Sequence, residues 1–271
     1  MDCKESRYAI REVSELTGVK PVTLRAWQRR YNLIQPQRTE KGHRLYSEQD
    51  IHTIRQIQSW LLKGVSIGKV SLLLQSSEQA GTGLFIEQAT ELPECQPLLV
   101  ALAQLNQGKV VNVLATVMKE YPLDIVETQL ILPVIDALEK VKGPLRSLQK
   151  GLFNGVMLNK LSSILEAENK AAHKGKCLCV SFEPCGHVLA WLWAVGWAEK
   201  GYNVTFLENV EDISGLVGHE GNTRYSILAL FSYRNLSDNQ RKALSELKPQ
   251  FSEPIYFSEV LATLVKQEVS Q

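Results

Sequence analysis

No run of about eighteen apolar residues, the least that a membrane-spanning helix needs, occurs in the chain. The opening stretch MDCKESRYAI also lacks the apolar segment of a secretory signal, so a cytoplasmic protein with no membrane attachment is expected. Cysteine is scarce. Cys3, Cys95, Cys177, Cys179 and Cys185 make an odd set without framework spacing, which excludes a disulfide scaffold and implies reduced thiols. There is no Walker loop, no Gly-x-Ser-x-Gly, no His-Glu-x-x-His and no Gly-x-Gly-x-x-Gly, so no catalytic residue is assigned and no enzyme is expected. Internal repeats and low-complexity tracts are missing too. Net charge is small as well, +1 over 271 residues.

That near-neutrality hides an uneven spread. Residues 1–75 hold 13 Lys+Arg against 7 Asp+Glu, and the remainder holds 17 against 22. A basic N-terminal unit on a slightly acidic body is the charge pattern of a nucleic-acid reader carrying a second module. Within the basic part, IREVSELT has Ile10, Val13 and Leu16 at helical spacing and stops at Gly18. Pro21 follows closely, at a position where a first helical turn tolerates a missing N–H. PVTLRAWQRRY then puts Leu24, Trp27 and Tyr31 on one face, and Arg25, Arg29 and Arg30 away from it. Two short helices across a tight turn predict a helix-turn-helix. Trp27 and Tyr31 are expected to be core residues rather than base-stacking groups.

Pro36 and Gly42 break the next stretch, IQPQRTEKGHRLYS, which reads as a small hairpin with a polar, basic tip: a wing. Ser47 with Asp50 three residues later predicts a helix start, and Ile51, Ile54, Ile57, Leu61 and Leu62 form the apolar stripe that follows. SIGKVSLLLQ adds one short helix. The resulting domain covers 1–76, with a small-polar, glycine-containing linker at 77–83. Residues 84–172 read as a helical bundle, with breaks at Pro93, Pro97, 106–109, 121–124 and 142–144. From 173 to 271 the pattern alternates. KCLCVSF, YNVTFLEN, YSILALFS and PIYFS are β-rich, and helix-compatible segments lie at 186–200, 210–223, 237–248 and 258–268. Alternation of this kind predicts a small open parallel sheet of flavodoxin-like type. The fold class is thus mainly α, then α/β.

The block YAIREVSELTGVKPVTLRAWQRRYNLIQPQRTEKGHRLYSEQDI resembles the MerR family of transcription regulators. It carries Tyr8-x-Ile10, Thr23-Leu24-Arg25, Pro36-x-Arg38 and Gly42-x-Arg44-x-Tyr46. The resemblance implies binding to a double-stranded promoter or operator. Arg25 and Arg29 would touch phosphates, while Arg38, Lys41, His43 and Arg44 would hold the wing against the backbone or minor groove. Base reading would fall to Lys20, Val22 and Thr23 at the helix start. It also implies a homodimer on a palindromic operator, distortion of the promoter spacer and engagement of RNA polymerase. The wording of the block is that of one branch, which holds regulators of curli and biofilm genes and a blue-light-linked repressor. Activation of extracellular-matrix genes follows from that likeness, as do cyclic-di-GMP signalling proteins as partners.

A bundle followed by a flavodoxin-like domain resembles the cobalamin-dependent light sensors of the same family, and that likeness implies the alternative of a cobalamin- or light-responsive repressor. Those sensors hold the corrinoid with a Trp and a Glu-His pair on the bundle, plus a His in a D/E-x-H-x-x-G loop. Here the loop reads Cys185-Gly186-His187-Val188-Leu189-Ala190, so the acid and the last glycine are replaced. The bundle segment PVIDALEKVKG has no Trp, and Phe153-Asn154 stand where Glu-His would be. No cofactor is therefore expected, and His187 is the one residue of that site still in place. Cys177-x-Cys179 with Cys185-x-His187 could suggest a thiolate metal site. Alternate residues of a buried strand share one face, however, so buried thiols and no metal are expected. Trp191, Trp193 and Trp197 on the following helix are read as core or as a docking surface.

Overall fold

Gly18 adopts φ 72°, the left-handed conformation that ends a helix, and its N–H returns to Ser14 O at 2.8 Å. That stop separates α1 (Ile10–Thr17) from α2 (Pro21–Tyr31), which Pro21 opens. The computed structural model describes residues 7–77, 90–251 and 255–269. The chain divides into two compact units, Met1–Phe153 and Asn154–Gln271.

In the first unit, strand β1 (Tyr8–Ala9) pairs with β3 (Arg44–Tyr46), and β3 pairs in turn with β2 (Gln37–Arg38). Both pairings are antiparallel, and β2–β3 is the expected wing. Helix α3 (Glu48–Leu62) starts as predicted: Asp50 N–H donates to Ser47 Oγ at 3.1 Å, and Ser47 N–H donates to Asp50 Oδ2 at 2.8 Å. Its stripe differs at one position. Leu61 is fully buried, whereas Leu62 is 65 % exposed, because adjacent residues point about 100° apart on a helix. Helix α4 (Ile67–Ser77) closes the domain; the expected linker beyond Ser77 lies outside the described residues.

The same unit continues with α5 (Cys95–Ala103), α6 (Gln107–Glu120), α7 (Leu123–Val126), a π-helical segment Glu127–Ile131 and α8 (Leu132–Lys140). Pro97 does not break the chain as expected. It falls in the first turn of α5, where its missing N–H has no helical partner to lose. Pro133 has the larger structural effect. Without its N–H, the carbonyl of Gln129 four residues earlier is released, and it accepts Leu92 N–H at 2.8 Å and Cys95 Sγ at 3.2 Å. A proline thus ties the start of the bundle to its middle. Helix α9 (Leu145–Ala171) follows.

The second unit holds the parallel sheet, ordered β5 (Asn203–Leu207), β4 (Lys176–Ser181), β6 (Ile227–Phe231), β7 (Tyr256–Phe257). This order, with the first strand of the domain inside, is flavodoxin-like. β6 is buried throughout and β4 beyond its first residue, as an apolar strand covered on both faces should be. Helices α10 (Val188–Glu199), α11 (Asp238–Leu247) and α12 (Glu259–Val269) complete the domain. The helix-compatible segment at 210–223 is only two 3-10 turns, Ser214–Leu216 and Glu220–Arg224. Gly215, Gly218 and Gly221 explain this: each weakens an α-helix, and Gly218 sits at φ 72°. On the free edge of β5, the Asn169 amide imitates a strand. Its Nδ2 donates to Val204 O at 2.9 Å and its Oδ1 accepts Val204 N–H at 2.7 Å.

Leu61→Ala should lower stability by about 2–5 kcal/mol, whereas Leu62→Ala should stay within about 0.5 kcal/mol of the parent. Urea unfolding of the full chain, followed by circular dichroism, measures both.

Candidate nucleic-acid interface

Lys20 caps α2 in extended conformation (φ −60°, ψ 147°), so the chain turns sharply into the helix and presents its first residues. Val22 is 41 % exposed there. Thr23, expected among the base readers, is 1 % exposed and belongs to the core of the winged helix. A side chain without surface cannot reach a base edge in this conformation, whereas Val22 beside it is open to solvent. Trp27 is fully buried, as its place on the apolar face implies.

Arg25 and Arg29 are both exposed. Spaced four apart, they share one face of α2, about 160° from Trp27 at 100° per residue. Arg38, Lys41 and His43 are exposed on the wing. Its tip is closed by Thr39 N–H to His43 O at 2.9 Å and by Gly42, which turns at φ 80°. Arg44 behaves differently. It is half-buried, its Nε donates to Gln28 Oε1 at 2.6 Å, and so it fastens the wing to α2. Its Nη2 is buried with no hydrogen-bond partner. Burial, and then the charges of Arg38, Arg29 and Arg25, lower its pKa, although a guanidinium stays protonated. Four guanidiniums therefore gather where α2 meets the wing. Arg29, Arg38 and Arg44 border a cavity of about 480 Å³ lined also by Gln28, Gln35 and Gln37. Like charges held together with an unsatisfied donor form a site for an anion with several acceptor oxygens. A DNA backbone is such an anion.

The carboxyl ends of the parallel strands are where ligands bind in open α/β sheets. The loop after β4 is held there by Glu208, which accepts Gly186 N–H at 2.8 Å and Trp191 Nε1–H at 2.9 Å. His187 lies against Phe231 and Tyr233, with ring centroids 5.8 and 5.7 Å away. Its pKa is lowered, chiefly by burial, which leaves the ring neutral at physiological pH. Its Nδ1 is buried without a partner. Glu183, whose charge reaches His187, is engaged elsewhere, with Tyr233 N–H at 2.9 Å, Ser232 Oγ at 3.3 Å and Arg234 at 3.5 Å. A metal-ligating histidine needs an acceptor on its second nitrogen to fix its orientation. None is offered here, and Ala190 is fully buried at the glycine position of the corrinoid loop. The residues present do not fit a corrinoid.

Cys177 and Cys179 are buried side by side on β4. Burial pushes the Cys177 thiol up to about 12 and that of Cys179 well above its usual value, so the buried strand favours the protonated thiol at both. Among the described residues, no cluster of three metal-ligating side chains exists. Trp197 is buried against Tyr256 and Tyr202, while Trp191 and Trp193 are half-buried. Among the described residues, no helix is long and apolar enough to cross a membrane.

A winged helix-turn-helix with a basic face, followed by further helices and a flavodoxin-like domain, is the architecture of a DNA-binding transcription regulator with an appended module. Residues 8–77 match the family model of the MerR HTH family regulatory protein. Over 206 residues the chain is 34 % identical to the HTH-type transcriptional regulator MlrA of Salmonella typhimurium, covering 74 % of this chain and 79 % of that protein. It is 32 % identical over 213 residues to MlrA of Escherichia coli, with the same coverage. It is 29 % identical over 181 residues to the HTH-type transcriptional repressor CarH of Myxococcus xanthus, covering 63 % of this chain and 60 % of that protein. The chain belongs to the MerR family of transcription regulators and is similar to MlrA over most of its length.

Arg25→Ala should weaken binding to every duplex alike and reduce the slope of log K against log salt by about one, because a phosphate contact carries no sequence information. Fluorescence anisotropy with specific and scrambled duplexes at several salt concentrations measures it. Loss of preference at a single base pair would move Arg25 to base reading.

Proposed function

We propose that this regulator binds a palindromic promoter as a homodimer and activates genes for curli and the extracellular matrix by bringing the promoter to RNA polymerase. The observation that carries the DNA half is the gathering of Arg25, Arg29, Arg38 and Arg44 where α2 meets the wing. Lys20 and Val22 at the start of α2 read bases. Arg25, Arg29, Arg38, Lys41 and His43 hold phosphates, and Arg44 locks the wing while offering its free Nη2 to the same backbone. The matrix-gene half rests on similarity to MlrA. The chain acts by binding and not by catalysis, in the cytoplasm, where its targets are.

In this reading residues 84–271 take their signal from protein contacts, with cyclic-di-GMP signalling proteins as the partner class, rather than from a corrinoid. The orphaned His187 Nδ1 and the prior engagement of Glu183 support that choice. Chromatin immunoprecipitation with sequencing in the native host tests the function. Enrichment at a palindrome upstream of a matrix-gene regulator is expected, and uniform coverage or enrichment elsewhere overturns it. After incubation with adenosylcobalamin and gel filtration, the protein should elute without a corrinoid absorbance band. A stoichiometric band would restore the cobalamin-responsive alternative.

A further inference from the structure

One face of the recognition helix is turned toward helix α6 rather than toward the side that carries Arg25 and Arg29. Trp27, Arg30 and Tyr31 stand at i, i+3 and i+4 on α2, a single stripe, and all three end on one residue of helix α6. Trp27 Nε1–H donates to the backbone oxygen of Glu120 at 2.7 Å. Tyr31 Oη–H donates to Glu120 Oε2 at 2.7 Å, and Arg30 Nη1 donates to Glu120 Oε1. The Glu120 side chain is 3 % exposed. A carboxylate that deep is tolerated only because both oxygens are occupied, and removing one partner leaves an uncompensated charge. Burial and the neighbouring carboxylate raise the Tyr31 pKa far above the ordinary range, so its hydroxyl remains a donor at any physiological pH.

Two further bonds hold the winged helix at other points. Gln129 Nε2 donates to Leu61 O, in the last turn of α3, at 2.9 Å. The Ile67 N–H, at the start of α4, donates to Tyr121 Oη at 3.4 Å. Residue 120, its neighbour 121 and residue 129 thus reach α2, α4 and α3 in turn. Arg25 and Arg29, on the opposite face of α2, are left for DNA.

We propose that Glu120 is the positioning residue that sets the angle of the recognition helix on the rest of the first unit, so that the spacing of two recognition helices in the dimer is decided by α6 and not by the winged helix alone. This rests on the dimeric operator reading above. A palindrome is read only when both helices enter successive major grooves, about 34 Å apart. A winged helix free to swivel still binds one half-site but holds two at the correct spacing only part of the time. The ordering cost that the latch removes in advance then has to be met at binding.

The test uses the full chain and two probes: the duplex most enriched in the immunoprecipitation, and the same duplex with one half-site scrambled. Glu120→Ala should bind the complete operator at least tenfold more weakly, with half-site binding unchanged within twofold. Tyr31→Phe, which removes one bond and keeps the ring, should lose about threefold on the operator alone and leaves the test intact if Glu120→Ala does not fold. Glu120→Gln, which retains an acceptor for Tyr31, should recover part of the loss. Equal weakening on both probes, the signature of a merely structural role, overturns the proposal, as does unchanged operator binding. If the parent chain itself prefers neither probe, the dimeric reading fails and this inference falls with it.

Discussion

The carboxylate of Glu120 is the constraint on which the arrangement of the first unit depends. A buried charge must be met by donors, and in this molecule its side-chain donors come from the recognition helix. Helix α2 therefore carries two incompatible demands on opposite faces. One face must be apolar and hydrogen-bonded to α6, and the other must be cationic and open. A helix of eleven residues is enough for both because its period separates residues 27, 30 and 31 from residues 25 and 29.

The same matching of polar groups recurs elsewhere. Pro133 cannot donate to Gln129 O, so that carbonyl serves Leu92 and Cys95 instead. Gln129 directs its side-chain amide to Leu61 O, and a single residue connects the bundle's first loop to the last turn of α3. In the second unit Asn169 finishes the open edge of β5 with its side chain, which shields an unpaired strand edge from pairing with other chains. In each place a backbone group receives a hydrogen bond from far along the chain.

At the carboxyl ends of the strands, where open α/β sheets bind ligands, a histidine stands without the partner that a metal ligand needs. His187 is present, but its ring is neutral and its second nitrogen has no acceptor. Glu183, the acid within electrostatic reach, is fully used in joining the loop after β6 to the loop after β4. The aromatic surroundings of Trp193, Phe231 and Tyr233 turn the position into packing.

The local elements are legible in the sequence wherever short-range chemistry decides them. The Gly18 stop, the Pro21 start and the Ser47–Asp50 cap each depend on residues within four positions of one another, and the alternation of β-rich runs with helices is equally local. The basic face of α2 is legible too, since charge and helical period suffice. Thr23 reads as a base contact and proves to be core, because the pattern of α2 does not say which small residue the rest of the winged helix will cover. Leu62 departs from its stripe because an apolar pair at the end of a helix does not reveal which member turns inward. Pro97 opens a helix where a break is expected, because a proline does one or the other according to where the first turn falls. The role of Glu120 leaves no trace: a glutamate at the end of one helix and a Trp-Arg-Tyr stripe some ninety residues earlier have no local relation. Sequence alone determined the helix-turn-helix, the wing and the parallel sheet, whose signals are short-range. Only the tertiary structure decided which carboxylate would be buried and which helix would satisfy it, because a desolvated charge finds its donors only once distant segments have packed.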